Sequence, residues 1–437
     1  MLLQFSFENF RSFRGKTTLS MLATTQRTLN DVLIRKGKRR ILPSAVLYGA
    51  NASGKSNVIL AMMALRAIVE NGSISRADNT VMSNLELFPF IHDGNAEPIS
   101  FEIDFITGRD RFAYFLSISV EPINEIGKRR ILEERLELVL SKKAIVLFHR
   151  TKDDIDVGRD EGALKVLGYK DVKKLRLLVD SVVQNMDEET LFLTGGFKSA
   201  ISKVTADKII NYISKRILTL MGLSERLFIN NLHTVKGTIT TDDNTDDNTV
   251  IFDELNNIIV QAADFGPQKI GWQAKAKDKQ GVSEMVMVSM YRKSIIPSYL
   301  MESAGTIKLL NFFFLLRQFF LEGDLLMIDE MDNVIHPEII KGVIALFGNP
   351  EANKNGAQLI FTTHNPIYMD HDLLRRDQIL FTEKDQDSYE SRLYSLGDFG
   401  SVDVRNDQSF MRNYFKGRYG RLPYIDLETI LVRGMEV

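Results

Sequence analysis

The chain has 437 residues, 44% of them hydrophobic and 26% charged, with a formal net charge of −2. That length suits two or three ordinary domains of a soluble globular protein, and the charge balance excludes an overall basic field for coating nucleic acid. There is no cysteine, which excludes disulfides and thiolate metal sites and fits a reducing compartment.

The opening residues, Met1 to Phe5, lack the charged and apolar regions of a signal peptide. The most apolar window, Leu309 to Leu321, contains Arg317 and is too short to span a bilayer. Both observations predict a cytoplasmic protein without a membrane partner. Residues 2 to 7 read as a first strand and Lys16 to Leu22 as a second, separated by Phe7-Glu8-Asn9-Phe10-Arg11-Ser12-Phe13. Taken alone, this is a β-hairpin with two buried phenylalanines. Residues 25 to 40 are polar and basic and end in Lys36-Gly37-Lys38-Arg39-Arg40, the pattern of a solvated loop.

Next comes the stretch that fixes the chemistry. Gly49-Ala50-Asn51-Ala52-Ser53-Gly54-Lys55-Ser56 fills every fixed position of G-x-x-x-x-G-K-[S/T]. A short buried strand, Ala45 to Tyr48, precedes it, and a helix pattern from Asn57 to Val69 follows. Strand, glycine loop and helix is the setting that a phosphate-binding loop requires. Its backbone N–H groups and the positive end of the helix face an anion. Lys55 is then expected to reach the β- and γ-phosphates of ATP and Ser56 to hold Mg²⁺, with Gly49, Asn51, Gly54 and Asn57 completing the ATP-binding set.

After a polar stretch, Asn71 to Asn84, the period becomes two. Ile99, Phe101, Ile103 and Phe105 alternate with polar residues, as do Phe112, Tyr114, Leu116 and Ile118. Leu136, Leu138 and Leu140, then Ile145 and Leu147, add two more segments of an antiparallel meander. From about Asp153 to Met221 the spacing is helical, through Leu175, Leu178, Val179, Val182 and Val183 and then Ile209, Ile210, Ile213, Ile217 and Leu220. These helices are too short and glycine-broken for a long coiled coil. Thr241 to Thr249 is a small acidic repeat that reads as a surface loop, and 282 to 296 reads as further strand.

Ser303-Ala304-Gly305-Thr306 opens an apolar helix from Ile307 to Leu321. Ser303 there serves either as a helix cap or as part of a second anion-binding end. Leu325-Leu326-Met327-Ile328-Asp329-Glu330 is a buried parallel strand that delivers two acids to the sheet edge where ligands bind in open α/β folds. Asp329 is expected to hold Mg²⁺ through water and Glu330 to activate the attacking water. One helix later, Pro337 to Phe347, comes the strand Leu359 to Thr363 with His364 at its end. This predicts a phosphate-sensing histidine beside the acids.

The order of phosphate loop, Ser-Ala-Gly-Thr signature, Asp-Glu pair and histidine resembles an ABC-type ATPase. The signature and the Asn-Phe-Arg-Ser-Phe opening are similar to the RecF/SMC-like branch of the AAA-family ATPases rather than to transporters. Asp329-Glu330-Met331-Asp332 with His336-Pro337, Leu374 to Ile379, and Tyr414 to Gly420 with Pro423 look like ATP-binding proteins of bacterial anti-phage and abortive-infection loci, the RloA-like, Septu and PARIS AriA-like groups. The resemblance implies an α/β P-loop NTPase of ABC-ATPase type with an antiparallel β-subdomain and an inserted, mostly helical subdomain. Its domains are expected at 1–150 (phosphate loop and meander), 151–290 (insert) and 291–437 (signature, acids and histidine).

It further implies a homodimer or larger homo-oligomer in which Ser303, Ala304, Gly305 and Thr306 of one subunit cover the ATP held by another. The chain ends soon after this core and its six histidines are scattered, so a separate effector, a nuclease or toxin, is the expected partner. The alternative functions are a RecF/SMC-like repair ATPase that clamps DNA and a transporter subunit. One departure stands out: no glutamine lies between Gln26 and Gln184 to couple Mg²⁺ to a partner. Phe10, Arg11 and Phe13 are candidates for the adenine by position. Arg405, Arg412, Lys416, Arg418 and Arg421, interleaved with Phe410, Tyr414, Phe415, Tyr419 and Tyr424, form either a nucleic-acid surface or a packed helix with a solvated face.

Overall fold

The computed structural model describes residues 1–75, 87–90, 97–120, 129–158, 160–222, 250–252, 260, 266–277, 283–399 and 409–420, apart from single positions within these ranges. The acidic repeat, most of 71–84, and Arg405, Arg421, Pro423 and Tyr424 lie outside them. Two compact units result, one of residues 1–220, 323–330 and 341–437 and one of 221–322 and 331–340. These boundaries differ from the three consecutive domains expected.

In the first unit, strand alternation builds a seven-stranded antiparallel sheet. It contains β1 (Leu2–Glu8), β2 (Thr17–Ser20), β6 (Ile99–Thr107), β7 (Asp110–Val120), β8 (Arg129–Val139), β9 (Ala144–Thr151) and β10 (Ile155–Val157), in the order β10-β9-β8-β7-β6-β1-β2. Ile99, Phe101, Ile103 and Phe105 all face the core, opposite Ile118, Leu116, Tyr114 and Phe112. Leu140 is exposed beyond the end of β8. Strands β3 (Ile34–Lys36) and β4 (Arg39–Ile41) pair separately as a small hairpin where a loop was expected.

The second sheet has the opposite signature. β5 (Ser44–Gly49), β16 (Leu325–Ile328) and β17 (Gln358–Thr362) are buried along almost their whole length, as strands covered on both faces must be. With β11 (Ile217–Leu220), β18 (Ile379–Lys384) and β19 (Ser391–Ser395) they run in the order β11-β16-β17-β5-β18-β19, parallel except for β19.

Helices α1 (Lys55–Asn71), α2 (Glu161–Leu167), α3 (Val172–Val183) and α4 (Lys203–Lys215) belong to this unit too. α4 stacks Tyr212 on Phe105 of the meander with ring centres 4.2 Å apart, and its Ser214 carbonyl accepts from Arg66 Nε of α1 at 2.9 Å. Leu175, Ile209 and Ile213 join the same core as Phe5, Phe101 and Leu65. Burial of such side chains stabilises by roughly 1.5–3 kcal/mol each, which favours docking these helices over leaving them apart as an insert.

One helical expectation is overturned. Ile217 and Leu220 lie in β11, parallel to β16, rather than in a continuing helix. The helix stops at Arg216, whose Nε donates to Asp324 at 2.6 Å while its carbonyl accepts from Leu325 N at 2.9 Å. A short apolar run fits either a buried strand or a helix, and strand pairing decides here.

The second unit carries β12 (Val250–Phe252), β13 (Lys269–Lys277), β14 (Ser283–Tyr291) and β15 (Ser294–Pro297) as an antiparallel sheet, so the region read as mostly helical also holds strands. Its helix α5 (Ala304–Glu322) sets Leu310 and Phe314 against Trp272 and Met287. Among the described helices, α5 alone is long and apolar enough to cross a membrane, and Lys308 and Arg317 lie along it. Helix α6 (Pro337–Gly348) links β16 to β17 in sequence, and α7 (Phe410–Phe415) follows β19.

Candidate active site

Parallel pairing of β16, β17 and β5 brings three predicted elements to neighbouring strand ends. Register sets Ile328 beside Phe361 and Thr362 beside Leu47. Asp329 and Glu330, Thr362 to His364, and the loop after Gly49 therefore leave the same edge of one sheet. Ligands of open α/β folds bind at this edge.

The loop has little spare room. A Cβ at Gly49 (φ 157) would lie 2.5 Å from Ser53 Oγ and from Thr382, so only glycine fits. Ser53 and Thr382 share a hydrogen bond of 2.6 Å that ties the loop to β18. Ala52 adopts φ 61, a conformation that costs a non-glycine residue energy and concentrates at ligand sites. Lys55 is buried, and its Nζ donates to the carbonyls of Gly49 and Ala50 at 2.9 and 3.0 Å. The ammonium is thus held over the loop at the mouth of α1. Asn51 is exposed and Ser56 half-buried, while Asn57 Nδ2 donates to Ser12 Oγ at 2.8 Å. Ser12 also accepts from Ser391 Oγ at 2.8 Å, so the N-terminal hairpin, α1 and β19 meet beside the loop.

On the neighbouring strands, Asp329 is buried and Glu330 exposed. Thr362 joins them: its hydroxyl donates to Asp329 Oδ1 at 2.5 Å and accepts from Glu330 N at 2.8 Å. Glu330 takes φ 49, a conformation that costs a non-glycine residue energy and concentrates at ligand sites. His364 is exposed at the end of β17, and Thr363 N donates to Leu47 O at 3.1 Å beneath it. Sequence reasoning missed Thr362 and Thr382. Their partners lie tens to hundreds of residues away, and a threonine in a buried strand carries no signal by itself. A serine hydroxyl and a buried carboxylate are hard oxygen donors of the kind Mg²⁺ prefers, so Ser56 and Asp329 fit that ion.

In the second unit, Ser303 Oγ accepts from Thr306 N at 3.0 Å and so caps α5. Ser303 and Ala304 are exposed, and Gly305 is half-buried. The residue before the cap is anchored: Tyr291 Oη donates to Glu302 Oε1 at 2.8 Å, and burial followed by this hydrogen bond pushes the phenol up to about 12.

Two of the three adenine candidates prove unsuitable, and the C-terminal segment fits the packed-helix reading of its two alternatives. Phe10 and Phe13 pack edge-on against Phe7 in the core, so neither ring is available to adenine, and Arg11 lies over the rings of Phe10 and Phe88 at 5.7 and 5.6 Å. In the C-terminal segment, Tyr414 and Tyr419 pack on Phe381, and Tyr48 contacts both Phe381 and Tyr414. Tyr414 and Tyr419 thus bind the segment to the sheet rather than offering stacking faces for bases, while Phe415 stays exposed. Arg412, Lys416 and Arg418 remain on the solvated side.

The sequence matches the family described as "AAA domain, putative AbiEii toxin, Type IV TA system" over residues 44–167 and 224–370. No curated protein matches it. Among solved structures, the chain is similar to an SMC head domain from Thermotoga maritima (12% identity, TM-score 0.37, covering 90% of this chain and 98% of that one). It is also similar to an Smc head bound to the C-winged helix domain of ScpA (14%, 0.40, 90% and 97%). A third is an Smc head domain with an extended coiled coil bound to the C-terminal domain of ScpA from Pyrococcus furiosus (13%, 0.37, 90% and 96%).

Proposed function

The chain belongs to this AAA-domain family of P-loop ATPases, and from that premise we propose that it is an ATP-hydrolysing homodimeric switch of a bacterial anti-phage defence system, cytoplasmic, acting on a separate effector. The observation that carries the ATPase reading is the convergence of Lys55, Asp329, Glu330 and His364 at adjacent ends of β5, β16 and β17. The family's description, which names a toxin–antitoxin system, favours defence over repair.

In this reading the loop N–H groups and Lys55 bind the phosphates, with Asn51 and Asn57 alongside. Mg²⁺, held by Ser56 and Asp329, would neutralise charge on the β- and γ-phosphates. Thr362 fixes Asp329 and the Glu330 backbone together, and the carboxylate of the exposed Glu330 orients a water and takes its proton. His364 contacts the γ-phosphate from the middle strand. Ser303 to Thr306 of a second subunit cover the other face of the phosphate. An exposed helix start whose cap serine leaves further N–H groups open suits an anion brought by another chain.

The chemistry of the described residues supports the separate effector of this reading. Among the described residues, the one further cluster of three ligating side chains, Asp370, His371 and Asp372, is wholly exposed and consecutive in sequence. It lacks the shielded, shaped cavity of a nuclease centre. The purified chain should therefore hydrolyse ATP yet leave DNA and RNA uncut with Mg²⁺ present. Cleavage by a preparation free of other proteins, lost on Glu330→Gln, would refute the division of labour.

A further inference from the structure

The basic end of segment 25–40 is the hairpin β3–β4, closed by Gly37 at φ 60. Its register sets Arg35 opposite Arg40 and Lys36 opposite Arg39, with Lys38 in the turn. Like charges directly opposite each other on antiparallel strands are destabilising. Arg35 and Arg40 donate to the carbonyls of Asn30 and Thr24 at 3.5 and 2.8 Å, which draws both toward the hairpin's own base. Lys36, Lys38 and Arg39 form no ion pair among the described residues. Lys36 and Lys38 are exposed and Arg39 is half-buried. One flank opens on a cleft of about 280 Å³ whose walls include Arg35, Lys36 and Lys354, with Asp31 as its one carboxylate.

A chain of net charge −2 thus concentrates five cations in six residues and holds them in an arrangement that repels itself. A polyanion would relieve that repulsion. The hairpin strands, Ile-Arg-Lys and Arg-Arg-Ile, carry no aromatic ring. They therefore lack the stacking platform that single strands require, whereas duplex phosphates need only cations. We propose that the hairpin β3–β4 docks on the phosphate backbone of double-stranded nucleic acid without reading its sequence. This inference rests on the hairpin alone and stands whether or not the defence reading holds.

The test is fluorescence anisotropy of the full chain with a labelled duplex of arbitrary sequence, titrated from about 50 to about 200 mM salt, where backbone contacts dominate the salt response. The wild type should bind, with log affinity falling linearly in log salt. The Lys36→Ala/Lys38→Ala/Arg39→Ala variant should bind at least about tenfold more weakly, its slope shallower by about three, and Lys38→Ala alone shallower by about one. ATP hydrolysis without nucleic acid and the melting temperature should stay close to the wild type, because Lys36 and Lys38 are exposed, Arg39 is only half-buried, and none of the three belongs to the candidate site. The proposal is overturned if the triple variant keeps the wild-type slope or if the wild type fails to bind at low salt. A preference for the single strand, or equal binding of polyglutamate and duplex, would overturn it as well.

Discussion

Glu134 in the meander and Glu330 at the edge of the parallel sheet are the same side chain in opposite settings. Glu134 is fully buried and closed in on every side. Its oxygens accept from Tyr114 Oη at 3.0 Å, Phe192 N at 2.7 Å and Leu193 N at 2.9 Å, with Arg150 at 3.9 Å. It fastens the π-helical segment Leu193–Ile201 to β8, and both of its oxygens are used by the fold. Glu330 instead stands exposed at a strand end, with its backbone N–H bound to Thr362. A carboxylate's role therefore depends on whether the fold encloses it or carries it to the surface. Where the fold uses the oxygens, the acid is structural. Where the acid reaches the surface at a strand end, as Glu330 does, a substrate can approach it.

That contrast breaks if the two acids respond alike to mutation. Glu330→Gln should slow ATP hydrolysis roughly 10²–10⁴-fold, the usual worth of a positioned general base, and leave ATP binding and melting temperature unchanged. Steady-state turnover alongside calorimetric titration separates these outcomes. Turnover near wild type would mean that another group activates the water.

Glu134→Ala should do the reverse. It strands two buried N–H groups and a phenol and leaves Arg150 without its carboxylate, at a cost of about 3–5 kcal/mol in denaturant unfolding. Turnover per folded molecule should stay normal. pH adds a second reading. Burial pushes the Glu134 carboxyl up, ahead of the opposing hydrogen bonds from Leu193 and Phe192 and the charge of Arg150. A folded-state value above the unfolded one means that ionisation opposes folding. The group's stabilising share is then fullest at acid pH and declines as pH rises through the carboxylate range, so the gap between wild type and variant should narrow toward neutral pH. A gap that widens would show that the carboxylate, not the acid, is what the fold prefers.

Thr362→Val sits between the two cases. It removes the hydroxyl shared by Asp329 and Glu330 and should lower turnover about tenfold while costing about 1 kcal/mol of stability. An effect on stability alone would show that Thr362 packs the strand without positioning the acids.

The limits of the sequence follow the same division. The phosphate loop, the buried strands and the Asp329–Glu330 pair were legible because each is a local pattern: glycines at fixed spacing, an unbroken apolar run, acids at its end. The alternation of β6 and β7 was legible for the same reason. Thr362 beneath Asp329, Thr382 beneath the loop, and Glu134 reaching Phe192 and Leu193 were not, because each joins residues far apart in the chain. β11 was misread because four apolar residues carry no period of their own. The hairpin β3–β4 was hidden by charges that ordinarily mark a solvated loop.

The central claim is that the site is shared, with Lys55 of one copy and Ser303 of another acting on the same ATP. In the proposed site Lys55→Ala would remove the ammonium that faces the phosphates and Ser303→Arg would block the exposed start of α5, so each variant alone should be inactive. In a two-fold dimer of unlike chains, one site combines both lesions and the other has neither. An equal mixture of the two inactive proteins, allowed to exchange subunits, should recover about a quarter of wild-type ATPase activity, since half the dimers are mixed and each has one intact site. A mixture no more active than its parents, together with wild-type turnover per chain that does not change with protein concentration, would contradict the shared site.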